Sequence, residues 1–178
     1  PPDVQLQRSG DSLMVKILGT TDQINVVNYF VGDGAGGWAI EEIRFTDDPS
    51  VIWGIEAVKA AALAGTDASE TLIGYASNDT ISGGEGADTI SSREGADHVD
   101  GGGGNDTLNG EGGNDTLVGG TGLDVLAGGA GSDNLSGGDG ADNLQGGNGD
   151  DWIDGGAGND ALNGGTYDGY WNTYSGAG

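Results

Sequence analysis

An acidic residue recurs every nine positions through most of this chain. The series runs Glu70, Asp79, Asp88, Asp97, Asp106, Asp115, Asp124, Asp133, Asp142, Asp151 and Asp160. Carboxylates in such number either move protons or hold hard cations. The company each acid keeps points to the cation. Two residues after each acid comes an aliphatic side chain: Leu72, Ile81, Ile90, Val99, Leu108, Leu117, Leu126, Leu135, Leu144, Ile153 and Leu162. Five residues before it stands glycine in every unit but one, where Ser92 takes its place, and two residues before it glycine recurs from Gly86 to Gly158. The unit is G-G-x-G-x-D-x-U-x, with U aliphatic, and it holds register from Gly65 to Asn163 without insertion or deletion.

Such a unit dictates its own structure. Its last three residues set one inward side chain between two outward ones, a minimal β-strand. Its first six form a turn in which glycine supplies φ > 0 without steric cost. Repetition coils the chain, two units make one eighteen-residue turn, and successive turns stack as parallel strands about 4.8 Å apart. No single unit buries enough to stand alone, so stacking must stabilise it. The predicted fold class is all-β: a parallel β-roll solenoid preceded by a small β-rich module with one short helix. Stacking puts Asp88, Asp106, Asp124, Asp142 and Asp160 in one column, and Asp79, Asp97, Asp115, Asp133 and Asp151 in the other. Carboxylates one strand spacing apart repel unless a cation lies between them. Carbonyls alternate in direction along an extended turn. One loop can therefore offer the carbonyls of positions two and four with its aspartate to one side, and those of positions one, three and five to the other. Two stacked loops then enclose an all-oxygen, roughly six-coordinate cage, which favours Ca²⁺ over the smaller, more tightly hydrated Mg²⁺.

The candidate ligands follow loop by loop. They are Asp79; then Gly84, Gly86 and Asp88; then Asp97; then Gly101, Gly102, Gly103, Gly104, Asn105 and Asp106. The loop from Gly110 offers Gly110, Gly113 and Asp115, and the next offers Gly119, Gly120, Thr121, Gly122, Leu123 and Asp124. Beyond these come Gly128, Gly129, Ala130, Gly131, Ser132 and Asp133, and Gly137, Gly138, Asp139, Gly140, Ala141 and Asp142. The last two loops supply Gly146, Gly147, Asn148, Gly149 and Asp151, and Gly155, Gly156, Ala157, Gly158, Asn159 and Asp160. Departures thin the set. Ser92-Arg93 replaces a glycine pair, Thr66, Tyr75 and Glu111 replace position-two glycines, and Ala68 and Ser77 replace position-four glycines. Loops at 83, 101, 119, 137 and 155 give four good stacked pairs, and those at 110, 128 and 146 give two. About six well-formed calcium sites are expected, with poorer ones at the first turns raising the count to eight or nine.

The run Gly83-Gly84-Glu85-Gly86-Ala87-Asp88-Thr89-Ile90, with the units beginning at Gly101, Gly119, Gly128, Gly137, Gly146 and Gly155, resembles the RTX nonapeptide, the haemolysin-type calcium-binding repeat. The resemblance covers residues 65 to about 165. It implies a right-handed parallel β-roll, calcium between stacked loops, type I secretion from a Gram-negative bacterium, and folding outside the cell. Gly10-Asp11-Ser12-Leu13, Asn28-Tyr29-Phe30, Ile40-Glu41-Glu42-Ile43-Arg44-Phe45 and Trp53 are similar to the haemolysin-type calcium-binding-related domain. That second resemblance carries over no activity.

The totals agree. Forty of 178 residues are glycine and formal charge is −24. Residues 1–64 carry nine acids and four bases, while residues 65–178 carry twenty acids and Arg93 as their one base. Low hydrophobicity with such charge signals disorder in the absence of a counter-ion. The acidity argues against nucleic acid as a partner. No cysteine is present and no apolar run of about 20 residues could span a membrane. The chain opens on Pro1 and reads as a piece of a longer secreted protein. The boundary falls at 64/65. Before it, Val4 to Gln7, Ser12 to Leu18, Gln23 to Phe30 and Trp38 to Phe45 read as strands. Trp53, Ala57, Ala60 and Leu63 lie on a helical stripe that Ser50 could cap and that ends at Gly65. Tyr29, Phe30, Trp38, Phe45 and Trp53 read as core. After the roll, residues 166–178 bring Tyr167, Tyr170, Trp171 and Tyr174, either a cap over the last strand edge or a partner-binding patch.

Catalysis finds little support. His98, the only histidine, falls at an outward strand position, and no G-x-S-x-G elbow occurs. The repeat accounts for eleven of the twenty acids after Gly65 as loop residues. A threonine face suited to ice breaks down where Thr89 and Thr107 give way to Val125, Asn143 and Ala161. The reading is a non-enzymatic, extracellular calcium-binding module, export-competent when disordered and folding on calcium. Two alternatives stand beside it: an adhesive or carbohydrate-binding segment of a surface protein with structural calcium, and an accessory domain of a secreted hydrolase or epimerase. A glycan or host-surface partner is left open.

Overall fold

Short runs rich in apolar and β-branched residues make the first strands, and the nine-residue grammar makes the rest. In a computed structural model, described for residues 4–9, 12–17, 23–26, 42–44, 52–166 and 173–177, the chain divides into two units, Pro1–Leu63 and Ala64–Gly178.

In the first unit, β1 (Val4–Ser9) pairs antiparallel with β2 (Ser12–Ile17), which pairs antiparallel with β3 (Gln23–Val26). Separately, β4 (Glu42–Arg44) pairs with β5 (Ile52–Gly54), Ile43 opposite Trp53. Helix α1 follows over Ile55–Ala62. This corrects the helical stripe: Trp53 is a strand residue and the helix begins two residues later. Ile and Trp favour strands, and Gly54 separates them from the helix-forming run. Ser50 and the rest of the predicted strands, with Tyr29, Phe30, Trp38 and Phe45, lie outside the described residues.

The second unit is a parallel solenoid of about six turns with 18 residues per turn. One face is a seven-stranded sheet: β6 (Ala64–Thr66), β8 (Thr80–Glu85), β10 (His98–Gly103), β12 (Thr116–Thr121), β14 (Asn134–Asp139), β16 (Trp152–Ala157) and β18 (Thr173–Ala177). The other has six strands: β7 (Thr71–Ile73), β9 (Thr89–Ser91), β11 (Thr107–Asn109), β13 (Val125–Ala130), β15 (Asn143–Asn148) and β17 (Ala161–Asn163). Register is strict, with Leu117 beside Val99 and Leu135, and Leu108 beside Ile90 and Leu126. The position-eight aliphatics from Leu72 to Ile153 are buried, one column on each face, and form the core. After the last repeat, β18 adds a parallel strand beside β16 with Tyr174 in register with Ile153. Tyr167, Tyr170 and Trp171 lie outside the described residues.

Candidate metal centre

The turns between the two sheets stack as closely as the strands. Glycines at positions two and four have left-handed backbone, as at Gly102 (φ 97°) and Gly104 (φ 122°). A Cβ on either would run into the main-chain carbonyl of the same position one turn earlier, Gly84 and Gly86. Those carbonyls therefore point toward the following turn. The same contacts recur through Gly120, Gly138 and Gly156, through Gly122, Gly140 and Gly158, and in the other column through Gly129, Gly147, Gly131 and Gly149. Arg93 (φ 77°) and Glu111 (φ 65°) adopt this backbone without being glycine. Carbonyls of positions one and three point the opposite way. Gly104 donates its N–H to Thr121 O, Gly122 to Asp139 O, Gly140 to Ala157 O, Gly113 to Ala130 O and Gly131 to Asn148 O, each at 2.8 Å.

Every carboxylate in the series from Asp88 to Asp151 is buried. Its Oδ1 accepts a hydrogen bond from the main-chain N–H of the acid one turn earlier: Asp88 N–H to Asp106, Asp106 N–H to Asp124, Asp124 N–H to Asp142, and Asp142 N–H to Asp160, at 2.8–3.0 Å. Asp79, Asp97, Asp115 and Asp133 donate in the same way to Asp97, Asp115, Asp133 and Asp151. Thus Oδ1 lies on the side of the loop that carries the carbonyls of positions one and three. Oδ2 turns the other way, toward the position-one carbonyl of the following turn, as Asp106 Oδ2 does toward Gly119 O, so the free oxygen joins the carbonyls of positions two and four as the sequence suggests. Oδ1 is drawn back by the N–H of the preceding turn's acid, which has no strand carbonyl to bond and is captured by the carboxylate.

The second oxygen is the informative one. Oδ2 of Asp88, Asp97, Asp106, Asp115, Asp124, Asp133 and Asp142 is buried and accepts no hydrogen bond. Asp88 Oδ2 and Gly101 O each lie 2.5 Å from where a Cβ on Gly83 would stand, so the two oxygens are within about 5 Å of each other. That upper bound lies within reach of two ligands on one Ca²⁺ with bonds of about 2.3–2.6 Å. The same convergence recurs at Gly101, Gly110, Gly119, Gly128 and Gly137, with Asp106, Asp115, Asp124, Asp133 and Asp142 and the carbonyls of Gly119, Gly128, Gly137, Gly146 and Gly155. A buried carboxylate oxygen without a donor, converging on a carbonyl, calls for a positive partner: a hard cation, or at low pH the carboxyl's own proton. Among the described residues, no three His, Cys, Asp or Glu side chains converge on a metal position. The donors are main-chain oxygens with one carboxylate per loop.

Burial pushes the carboxyls of Asp115 and Asp133 up to about 6, against the pull of the Asp97 and Asp115 amides, with neighbouring carboxylates of the column adding to the rise. Burial raises Asp88, Asp97, Asp106, Asp124 and Asp142 too. Without a cation, each column resists its own ionisation.

The remaining predicted ligands fall into register with these. Position-three residues Gly103, Thr121, Asp139 and Ala157 stack in one column, and Ala130 and Asn148 in the other. At position five, Leu123 donates its N–H to Asn105 Oδ1 and Ser132 to Asn114 Oδ1, both at 2.9 Å, a second ladder, and Ala141 and Asn159 occupy the same repeat position. Two residues escaped the sequence reading. Glu85 and Glu94, acids at position three, set their carboxylates against Gly103 and Gly112 of the next turn.

A family model described as the RTX calcium-binding nonapeptide repeat matches residues 64–99, 91–126, 100–135, 109–144 and 136–166. One described as the haemolysin-type calcium binding protein related domain matches residues 13–55. The chain is 42% identical over 68 residues to the iron-regulated protein FrpA of Neisseria meningitidis serogroup C, covering 38% of this chain and 6% of that protein. No solved structure gives a significant match.

Proposed function

Because the chain belongs to the RTX calcium-binding nonapeptide repeat family, we propose that its roll is unfolded at low calcium and is closed by calcium after export. The row of buried, donorless Oδ2 atoms carries this reading. Leaving a buried polar atom without a partner costs about 1–3 kcal/mol, more for a charge. Calcium supplies the positive charge and the coordination that those oxygens lack. From the loop at 101, Asp106 Oδ2 and the carbonyls of Gly102 and Gly104 would hold it; from the loop at 119, the carbonyls of Gly119 and Thr121. The equivalent residues serve in each good pair, giving about six sites.

Extracellular calcium modules bind at about 10⁻⁴–10⁻³ M. At ten times Kd, each independent site adds about 1.4 kcal/mol. Six sites give about 8 kcal/mol, comparable to the whole stability of an ordinary domain at about 5–15 kcal/mol. Cytosolic free calcium, far below Kd, would contribute almost nothing. RTX repeats typify secreted bacterial proteins, and among the described residues no helix is long and apolar enough to cross a membrane. Type I export of an unfolded chain fits this energy balance. The 6% coverage of FrpA supports placing the roll within a longer protein. The role proposed for it is structural rather than catalytic. Far-ultraviolet circular dichroism of the chain in EDTA and in millimolar calcium tests the reading. A cooperative gain of β signal with calcium is expected; a full β signal in EDTA at neutral pH would overturn it.

A further inference from the structure

One loop in the second aspartate column departs from the rest in a way that replaces the ion. Position one is serine at Ser92, completely buried. In the regular loops, the Cβ direction of position one leads into the gap between Asp Oδ2 and the carbonyl of the next turn. At Ser92 a real side chain enters that gap. Its hydroxyl donates to Gly110 O at 3.1 Å, the carbonyl that a cation would otherwise meet. Asp97 Oδ2 stays buried without a hydrogen bond, so the side chain stands in for the ion by filling the gap and satisfying the carbonyl. A carbonyl satisfied by a hydroxyl and a gap filled by Cβ and Oγ leave no room for a Ca²⁺ with six or more oxygens around it.

The loop one turn earlier is closed by protein donors too. Tyr75 N–H donates to Asp79 Oδ2 at 2.6 Å, and Ser77 Oγ to Asp79 Oδ1 at 3.2 Å. Both oxygens of that carboxylate are satisfied, unlike those further along. At the first loop of the other column, Thr66 donates to the Glu70 carboxylate through both its N–H and its hydroxyl.

We propose that the Ser92 side chain is a built-in substitute for calcium between the loops at 92 and 110, so that calcium enters this column only from the loop at Gly110 onward. The inference rests on the calcium reading above. It leaves the loops at 74 and 92 closed by protein donors where the later loops of the column would be closed by metal.

Equilibrium dialysis with calcium alone, on the full chain and two variants, tests this by counting ions per chain. Ser92→Gly removes the hydroxyl and Cβ and is expected to bind one more calcium than wild type. Gly119→Ser places the same side chain in a regular loop and is expected to bind one fewer. Hydrogen exchange in calcium adds a readout: amides of Asp79, Asp97 and His98 should exchange at unchanged rates in Gly119→Ser. Equal calcium counts in wild type and Ser92→Gly would overturn the substitution, even with the calcium reading intact. A wild-type chain that binds no calcium would overturn both.

Discussion

A methyl group on Gly120 should cost the roll far more than one on Gly103. Gly120 has φ 107°, and a Cβ there would stand 1.9 Å from Gly102 O, a main-chain atom with no rotamer to retreat into. The left-handed backbone alone costs alanine about 1–2 kcal/mol. Relieving an overlap of well over 1 Å must also push adjacent turns apart, weakening strand hydrogen bonds of about 1 kcal/mol each and displacing a carbonyl proposed to hold calcium. The total is about 3 kcal/mol or more, and a roll of this size loses about 4–8 °C of Tm per kcal/mol. Gly120→Ala is therefore expected to melt about 12–24 °C below wild type in saturating calcium. At Gly103 the backbone is not left-handed, and the nearest atom to a new Cβ is the Glu85 carboxylate at 2.6 Å, the far end of a flexible side chain. Gly103→Ala should cost about 1 kcal/mol or less. Calorimetric melting of both variants in calcium decides. Equal shifts, or a Gly120→Ala shift under about 4 °C, would refute the claim that carbonyl-to-Cα stacking sets the turn.

The raised carboxyls make a pH prediction for the metal-free chain. Asp115 and Asp133 hold their protons to about 6 when folded, against an ordinary value of 3.8, so the folded state binds more protons across that window. Its stability is then full below the unfolded value and is lost as pH rises through the folded one. In EDTA, circular dichroism should show more β structure at pH 4.5 than at pH 7.5, and the calcium midpoint should rise as pH falls. Leu117 is 0% exposed and Leu123 is 57% exposed. Leu117→Ala should lose about 2–5 kcal/mol, and Leu123→Ala about 0.5 kcal/mol or less, in thermal melts with calcium.

The roll was legible because each repeat position makes its own chemical demand. Leu108 must face inward, Gly104 must be left-handed, and Asp106 must be acidic, so the periodic pattern alone carried the register of the turns. The bond from the other carboxylate oxygen back to the preceding turn was not legible, since it depends on which N–H that turn leaves over, here that of Asp88 for Asp106 Oδ1. Ser92 stood in the sequence as a defect. Only its buried hydroxyl on Gly110 O turns it into a plug. Trp53 misled because its spacing from Ala57 and Ala60 is helical, whereas pairing with Ile43 is a long-range fact that no local pattern carries.

Among the described residues these rungs join positions eighteen apart rather than nine, forward where Asp124 N–H meets Asp142 and backward where Leu123 N–H meets Asn105. The gene of such a protein can grow or shrink by whole coils at little structural expense, because every surviving partner keeps its mate. A single nonapeptide gained or lost would send all later units to the opposite wall and re-pair every neighbour across the junction. Length variation among relatives should therefore come in even numbers of repeats wherever rung partnerships such as that of Ser92 with Gly110 matter.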